Sequence, residues 1–287
     1  MRILVAVDGS KQSEEAARAL EHLPHAEEVI VLHVLDVPEP AYPMMMPEVA
    51  RDIHATVERG MRDKGERLLT GITALLPPRT GPVIKRLEVG KPAELIVTIA
   101  QEQRVNLIVV GSRGLGPVKQ RLLGSVSHRV LAHAACATLM VNRRMRALRQ
   151  VLLPLQGPDD VEAAVAFLAT RPFREAADVT ILTVPPFIKP AWPAGASISE
   201  AVKKDLLEGA RFFVDDVASR LRALDYRAKG AAVLGAPATV ILQEATKRKA
   251  DLILMGARGR RGITRFVLGS VSHAVLPYAP CPVLVFR

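Results

Sequence analysis

The chain has few of the features that mark several classes of protein. Its 287 residues include only two cysteines, Cys136 and Cys281, and 4% aromatic residues. Two cysteines in separate halves of a chain do not form a disulfide framework, so we expect both to be small buried side chains in a cytoplasmic protein. No apolar run reaches the ~18 residues that a membrane helix needs, and the opening "MRILVAVDGS" lacks the layout of a signal peptide. We therefore expect no membrane partner.

Signatures of metal sites and of nucleic-acid binding are also missing. No His, Cys, Asp or Glu cluster has metal-ligand spacing, so no metal bound by protein side chains is predicted. Part of the net charge of +10 lies in "RRMRALR", from Arg143 to Arg149. No helix-turn-helix, zinc-finger or RNA-stacking signature accompanies this stretch. We interpret it as a solvated basic linker, and a nucleic-acid partner is not expected.

What the sequence does contain is one pattern written twice. "GSRGLGPVKQRLLGSVSHRV" begins at Gly111 and "GARGRRGITRFVLGSVSHAV" at Gly256, 145 residues later. "GKPAELI" and "GAPATVI" keep the same offset. A pattern that recurs half a chain later indicates a duplicated domain. We predict one copy at 1–142 and a second at 150–287, joined by the basic linker 143–149.

Short apolar runs alternate with helical segments in both copies. "RILVAV", "EVIVLHVL" and "NLIVVG" have the composition of strands that a parallel sheet buries on both faces. A helix capped by Ser10 follows the first run, and long helices are predicted from about Glu48 to Leu76 and near Ser199 to Leu224. The pattern predicts an α/β fold: two tandem, doubly wound, five-stranded parallel-sheet domains.

Two residues of interest lie at the carboxyl ends of predicted strands. Asp8 ends the first strand and Gly111 ends the fourth. Ligands of doubly wound sheets bind beyond the carboxyl ends of the strands, where the strand order reverses. If the first and fourth strands are neighbours, Asp8 and the loop after Gly111 border one crevice.

The loop after Gly111 has the composition of a phosphate cradle. Its glycines permit close backbone approach, and its Gly-Ser opens a helix whose free N–H groups attract anions. The alternative is a glycine-rich connection that only turns a corner, but the duplication and the strand-end aspartate favour phosphate. The loop is neither a Walker A motif nor a dinucleotide fingerprint, because it lacks Gly-Lys-Ser/Thr and follows the fourth strand. The predicted phosphate-binding residues are Gly111, Arg113, Gly114, Gly124, Ser125 and Val126, with Ser127 close by.

"VAVDGS", "LHVLD", "GKPAELI" and the Gly-x-x-Gly, nine-residue, Gly-Ser spacing together resemble the universal stress protein family, over nearly the whole chain and twice. The resemblance implies an adenine-nucleotide α-hydrolase-like fold, binding of ATP (or AMP or ADP), Mg²⁺ held through the phosphates, a homodimer of tandem chains and a role in stress response. It also implies that Asp8 approaches the ribose or adenine and that Val34 lies against the base.

The second copy departs from this pattern at the start. Gln156 stands at the position of Asp8 and Pro158 at that of Ser10. Gln156 can still bind a hydroxyl but brings no charge, so nucleotide binding there is in doubt. The second loop keeps the motif, and its predicted binding residues are Gly256, Arg258, Gly259, Gly269, Ser270 and Val271.

We predict a regulatory ATP-binding module with at most slow ATP hydrolysis, because no oriented pair of nucleophile and base accompanies the loop. The alternatives are a nucleotide-free scaffold or dimerisation protein and a nucleotide-cleaving enzyme of the α-hydrolase group. His128 and His273 follow the Gly-Ser-Val-Ser of each loop, and His33 lies in the second strand. All three are interpreted as structural histidines rather than catalytic bases or ligands.

Overall fold

The computed structural model describes residues 1–38, 47–112, 123–185, 200–257 and 268–287. Four predicted site residues lie outside the described residues: Arg113, Gly114, Arg258 and Gly259. The chain divides into two compact units, one of residues 1–21 and 25–144 and the other of residues 22–24 and 145–287. Each unit is an α/β domain.

The first unit alternates strands and helices, as its hydrophobic pattern predicts. Its elements are β1 (Arg2–Val7), α1 (Lys11–Arg18), a 3-10 turn (Ala19–His22), β2 (Glu28–Leu35), α2 (Pro47–Thr73), β3 (Val83–Val89), α3 (Pro92–Glu102), β4 (Leu107–Gly111), α4 (Ser125–His133) and β5 (Ala137–Val141).

The strands of the first unit form a parallel sheet in the order β3-β2-β1-β4-β5. β1 pairs with β2 on one side and with β4 on the other, in a register that sets Ala6 beside Val110. The order therefore reverses between β1 and β4, and their carboxyl ends lie side by side. This confirms the neighbourhood on which the predicted crevice depends.

The second unit repeats the architecture. Its elements are β6 (Gln150–Pro154), α5 (Pro158–Ala169), β7 (Asp178–Thr183), α6 (Glu200–Arg222), β8 (Arg227–Ala232), α7 (Pro237–Lys247), β9 (Leu252–Gly256), α8 (Ser270–Val275), a 3-10 turn (Leu276–Tyr278) and β10 (Val283–Phe286). Its parallel strands run in the order β10-β9-β6-β7-β8.

The core of each unit lies on its central strands. Every residue of β4 and β5 is buried, and so is every residue of β10. Strands that are buried on both faces need helices above and below, because one apolar face left in water would forfeit about 25 cal/mol per Å². Because both faces of these strands are buried, their sequences are uninterrupted apolar runs.

Pro158 occupies the first turn of α5, where its fixed φ suits a helix, although the serine cap of α1 has no counterpart there. The observed structure differs from the predicted one in three places. α2 ends at Thr73 rather than near Leu76, and α6 ends at Arg222 rather than near Leu224. The basic linker is only partly solvated, since Met145 and Leu148 are buried while its arginines are exposed.

Among the described residues, no helix is long and apolar enough to cross a lipid bilayer. Within the same residues no three His, Cys, Asp or Glu side chains are grouped so that they could hold a metal ion. Cys281 is buried, as expected, whereas Cys136 is only half-buried, so the expectation that both are buried is wrong for Cys136.

Gly111 permits close contact between β4 and α1. A Cβ at this position would lie 2.9 Å from the backbone carbon of Gln12 and from the backbone nitrogen of Ser13. Both obstacles are main-chain atoms of α1, so neither can rotate away. The lack of a side chain at Gly111 therefore serves helix packing, whatever else the residue contacts.

We expect Gly111→Ala to destabilise the fold by about 1–3 kcal/mol, because the helix must shift to accept a methyl group. Gly60→Ala is the matched control, since a Cβ at that exposed helical position meets nothing within 4 Å. The control should gain up to about 1 kcal/mol through helix propensity. Urea unfolding of both variants tests this, and equal stability of the two would contradict the packing role.

Candidate functional site

The carboxyl end of β1 forms a tight turn around the Asp8 carboxylate. Asp8 Oδ1 accepts hydrogen bonds from the Ser10 backbone N–H at 3.0 Å and from the Ser10 hydroxyl at 2.6 Å. Gly9 between them has φ +82°, a conformation that glycine adopts without steric cost. The carboxylate of this half-buried residue thus shapes the turn through one oxygen. Among the described residues, Asp8 Oδ2 accepts no hydrogen bond.

The same turn begins α1. Ser10 is the N-cap, as predicted, and its hydroxyl oxygen accepts a hydrogen bond from the Ser13 N–H at 3.2 Å. The Ser13 hydroxyl donates back to the Ser10 carbonyl at 2.8 Å. The first bond satisfies one of the N–H donors that the first turn of a helix otherwise leaves open. The two bonds together join the turn that carries Asp8 to the start of α1.

The end of β4 is joined to the start of α4 by direct hydrogen bonds. The Gly124 N–H donates to the Ser112 carbonyl at 2.9 Å. The Ser127 hydroxyl, on a residue only 5% exposed, donates to the Gly111 carbonyl at 2.5 Å. The Ser127 proton is therefore used inside the fold, and this residue positions the helix start rather than donating to a ligand.

The first turn of α4 has an uncapped amino end. Its N-cap is Gly124, which offers no side-chain hydrogen bond, and the first backbone bond of the helix is from the His128 N–H to the Gly124 carbonyl. The N–H groups of Ser125 and Val126 precede that bond and lie at the positive end of the helix dipole. Ser125 is exposed and Val126 half-buried. Such an end attracts anions.

The two other predicted positions of the first unit lie on β2. Val34 is 8% exposed, near the carboxyl end of the strand and in register with Glu88 of β3. The His33 ring is 2.7 Å from the Val7 carbonyl through Nδ1. The prediction that His33 is a hydrogen-bonded structural residue is confirmed.

The second unit repeats the loop anchor. The Ser272 hydroxyl donates to the Gly256 carbonyl at 3.0 Å, and the Gly269 N–H donates to the Ala257 carbonyl at 2.8 Å. The helix that begins at Ser270 has only six residues, against nine in α4. It continues directly into the 3-10 turn Leu276–Tyr278.

Asp160 is not among the site residues predicted from the sequence. It lies in the first turn of α5, and its Oδ2 accepts a hydrogen bond from the Gln156 N–H at 3.1 Å. Where the first unit places a carboxylate on the strand end, the second supplies one from the following helix. The available signal was the Pro-Asp-Asp that opens α5, since acidic residues favour first helical turns.

Burial raises the pKa of Asp160 above its ordinary value. The hydrogen bond from the Gln156 N–H opposes this rise in pKa, and the nearby charge of Asp159 adds to it. Desolvation is the largest cause because it penalises only the ionised form. The carboxyl group beside the end of β6 therefore holds its proton more tightly than that of a surface aspartate.

The universal stress protein family model matches the chain twice, over residues 1–142 and 147–287. A universal stress protein of Mycolicibacterium smegmatis is 30% identical over 302 residues, covering 99% of this chain and 96% of that protein. One from Thermus aquaticus is 34% identical over 142 residues, which cover 48% of this chain and 96% of that protein. If the chain is a duplication, half of it should match nearly the full length of some relatives, and the Thermus aquaticus protein fits this expectation.

Solved structures agree on the fold. The crystal structure of a universal stress protein from Archaeoglobus fulgidus matches with a TM-score of 0.65 and 21% identity, covering 100% of this chain and 96% of that one. At this identity the likeness extends to the architecture alone.

We expect Asp160→Asn to stabilise the protein progressively as pH rises from about 4. The folded state raises the pKa of Asp160, so its contribution to stability is complete below the ordinary pKa, about 3.9, and is lost as pH rises through the raised value. An asparagine keeps the acceptor for the Gln156 N–H without the charge. Urea unfolding from pH 3.5 to 7 measures the difference from wild type.

The exposed Asp63, replaced by asparagine, is the control and should show no such rise. A difference between Asp160→Asn and wild type that is constant with pH, or that shrinks as pH increases, would count against the buried carboxyl group.

Proposed function

The chain belongs to the universal stress protein family as a tandem of two family domains, and we propose that it binds ATP in its first unit as a regulatory ligand of a stress response. The observation behind this proposal is the convergence of Asp8 and the amino end of α4 at the point where β1 and β4 reverse the strand order. This arrangement supports a site in which Asp8 accepts a hydroxyl and the amino end of α4 donates to phosphates.

The roles follow from the chemistry of each group. Asp8 keeps one carboxylate oxygen for the turn and offers the other to a ribose hydroxyl. The N–H groups of Ser125 and Val126 suit phosphate oxygens, and Val34 suits the face of a base. ADP or AMP would use the same groups with fewer phosphates. Mg²⁺ would be bound through the phosphate oxygens rather than by a cluster of side chains.

A regulatory role fits this site better than a catalytic one. The Ser127 hydroxyl is already bound to the Gly111 carbonyl, which leaves it poorly placed to act as a nucleophile or proton donor. A helix dipole alone gives modest stabilisation of a transition state, so ATP hydrolysis should be slow. The chain has only two cysteines, one in each half, which suits action in the reducing cytoplasm.

A nucleotide-free scaffold is the rival function, and one observation favours it. Asp8, Gly111 and Ser127 each have an internal structural task, as the turn, packing and anchoring contacts show. These tasks would preserve the motif without any ligand. Measuring nucleotide binding in variants that keep those contacts separates the two functions.

We expect ATP to bind the first unit more tightly than the second. A carboxylate that accepts a ribose hydroxyl contributes about 1.5–3 kcal/mol, against about 1 kcal/mol for the neutral amide of Gln156. The difference corresponds to roughly tenfold in affinity. Calorimetric titration of ATP into wild type and Asp8→Ala measures it.

Gly124→Asp and Gly269→Asp form the matched pair for this experiment. Each places a carboxylate at the N-cap of one loop helix, where it repels phosphate. Gly124→Asp should abolish tight binding and Gly269→Asp should leave it nearly unchanged. The reverse result would place the working site in the second unit, and no binding by wild type would support the scaffold.

We also propose that two tandem chains form a homodimer. Phe212 on α6 is 80% exposed, and a second copy could remove this large apolar ring from water. Analytical ultracentrifugation should find twice the chain mass of 31.1 kDa, and Phe212→Ser should weaken the association while the neighbouring Arg211→Ser does not. A wild-type protein that sediments as a single chain would rule the homodimer out.

A further inference from the structure

β3 forms one edge of the sheet in the first unit. Within the described part of the chain, β2 is the only strand that pairs with it. The strand has seven residues, from Val83 to Val89, and neither a proline nor a glycine interrupts it. An edge strand presents a row of backbone donors and acceptors with which another strand can pair. β3 is therefore a surface on which a further strand can extend the sheet.

Two hydrogen bonds at the ends of β3 show which of its backbone groups face outward. The Val29 N–H donates to the Pro82 carbonyl at 2.8 Å, and the Gly90 N–H donates to the Leu35 carbonyl at 2.9 Å. The even-numbered residues of this segment thus direct their backbone groups toward β2. Because direction alternates along a strand, the odd-numbered residues face away from β2. These outward-facing residues are Val83, Lys85, Leu87 and Val89.

The side chains of β3 leave apolar surface in water. Val83, Ile84 and Val89 are 36%, 45% and 38% exposed, whereas every residue of the central strands β4 and β5 is buried. Between these apolar residues, Arg86 Nε donates to Glu88 Oε1 at 2.5 Å, so the two half-buried charges lie on the same face of the strand. Exposed apolar side chains along a sheet edge mark a surface that a partner can cover.

The charges of β3 are self-complementary in one antiparallel register. When Leu87 of one chain lies opposite Leu87 of a second chain, Arg86 of each chain lies opposite Glu88 of the other. The four charges then form a square of alternating sign. The backbone groups match as well, because Leu87 faces Leu87 and Lys85 faces Val89, which gives about six hydrogen bonds. Arg86 and Glu88 then form a non-hydrogen-bonded pair, in which side chains lie closer together.

Neighbouring registers place like charges opposite one another. A pair centred on Arg86 sets Arg86 against Arg86, and a pair centred on Glu88 or on Lys85 sets that residue against itself. Like charges directly opposite each other destabilise a strand pair, whereas opposite charges stabilise it. Charged residues on an edge strand usually prevent pairing. On β3 they exclude the registers next to the one centred on Leu87, and they favour a second copy of this chain as the partner.

The second unit lacks this pattern. β8 is the corresponding edge strand, and it contains two basic residues and no acidic one. Aligned through the register of each edge strand with its neighbour, Ala231 stands at the position of Arg86 and Val233 at that of Glu88. The self-complementary charges therefore belong to β3 and are not a consequence of the shared fold.

We infer that β3 binds β3 of a second chain, antiparallel and centred on Leu87, with cross-strand ion pairs between Arg86 and Glu88. Such a contact is isologous and closes at two chains. It uses the first unit, whereas Phe212 lies in the second, so either contact can form without the other, and neither requires ATP. Two single strands bury less than the roughly 1,200 Å² of a standard interface, so we expect the contact to form only above about 100 µM chain.

Charge reversal in the Phe212→Ser chain tests this contact apart from the one at Phe212. Sedimentation is followed from about 10 to about 300 µM chain, and the mass of the Phe212→Ser chain should increase toward twice 31.1 kDa. Adding Arg86→Glu or Glu88→Arg should raise the dissociation constant about tenfold, because each replaces opposite charges across the strands by like charges. A Phe212→Ser chain that stays single at every concentration overturns the inference.

A mixture of the two reversed chains tests the register. Arg86→Glu leaves two acidic residues on the edge and Glu88→Arg leaves two basic ones, so in the register centred on Leu87 every cross-strand pair of the mixture is again opposite in charge. The mixture should associate about as tightly as the parent chain, although neither chain does so alone. Lys229→Glu on β8 is the matched control, and its mixture with Glu88→Arg should not associate. Failure of the first mixture, or association of the control mixture, overturns the pairing.

Amide hydrogen exchange locates the contact residue by residue in the Phe212→Ser chain. The N–H groups of Lys85, Leu87 and Val89 should exchange about threefold more slowly at about 300 µM than in dilute chain, because pairing covers them. Those of Arg86 and Glu88 already face β2 and should change little. Slowing confined to β8 or to a helix would place the contact elsewhere and contradict the inference.

Discussion

The pairing of β1 with β4 is the contact on which the candidate site of the first unit depends. It sets the turn after β1 beside the end of β4, at the point where the strand order reverses. Gly111 at the end of β4 also lets the backbone of α1 lie against this strand, because a Cβ there would lie 2.9 Å from main-chain atoms of Gln12 and Ser13.

Two hydroxyl-to-carbonyl bonds show that much of the loop motif serves construction. Ser127 donates to the Gly111 carbonyl in one unit, and Ser272 donates to the Gly256 carbonyl in the other. In each unit the bond ties the first turn of a helix to the end of the preceding strand. The helix amino end is thereby held in place relative to the strand without the help of a ligand.

The two units have diverged where a ligand would distinguish them. The first has Asp8 on its strand end, whereas the second has Gln156 there and receives a carboxylate from Asp160 on the next helix. The edge strands have diverged as well, since β3 has both Arg86 and Glu88 whereas β8 has no acidic residue. A duplication frees one copy to change while the other keeps the original contacts, and a difference in charge at one strand end is enough to begin that separation.

The sequence by itself determined the duplication, the α/β class and nearly all of the strands, because runs buried on both faces and capped helices are local patterns. It also placed Asp8 and the end of β4 at one edge of the sheet. Only the tertiary structure decided that Gly111 and Ser127 have internal partners, that Asp160 reaches the Gln156 N–H, and that β3 lies at the edge of its sheet. These are contacts between elements, and their distances depend on how helices pack on the sheet, which no local pattern specifies.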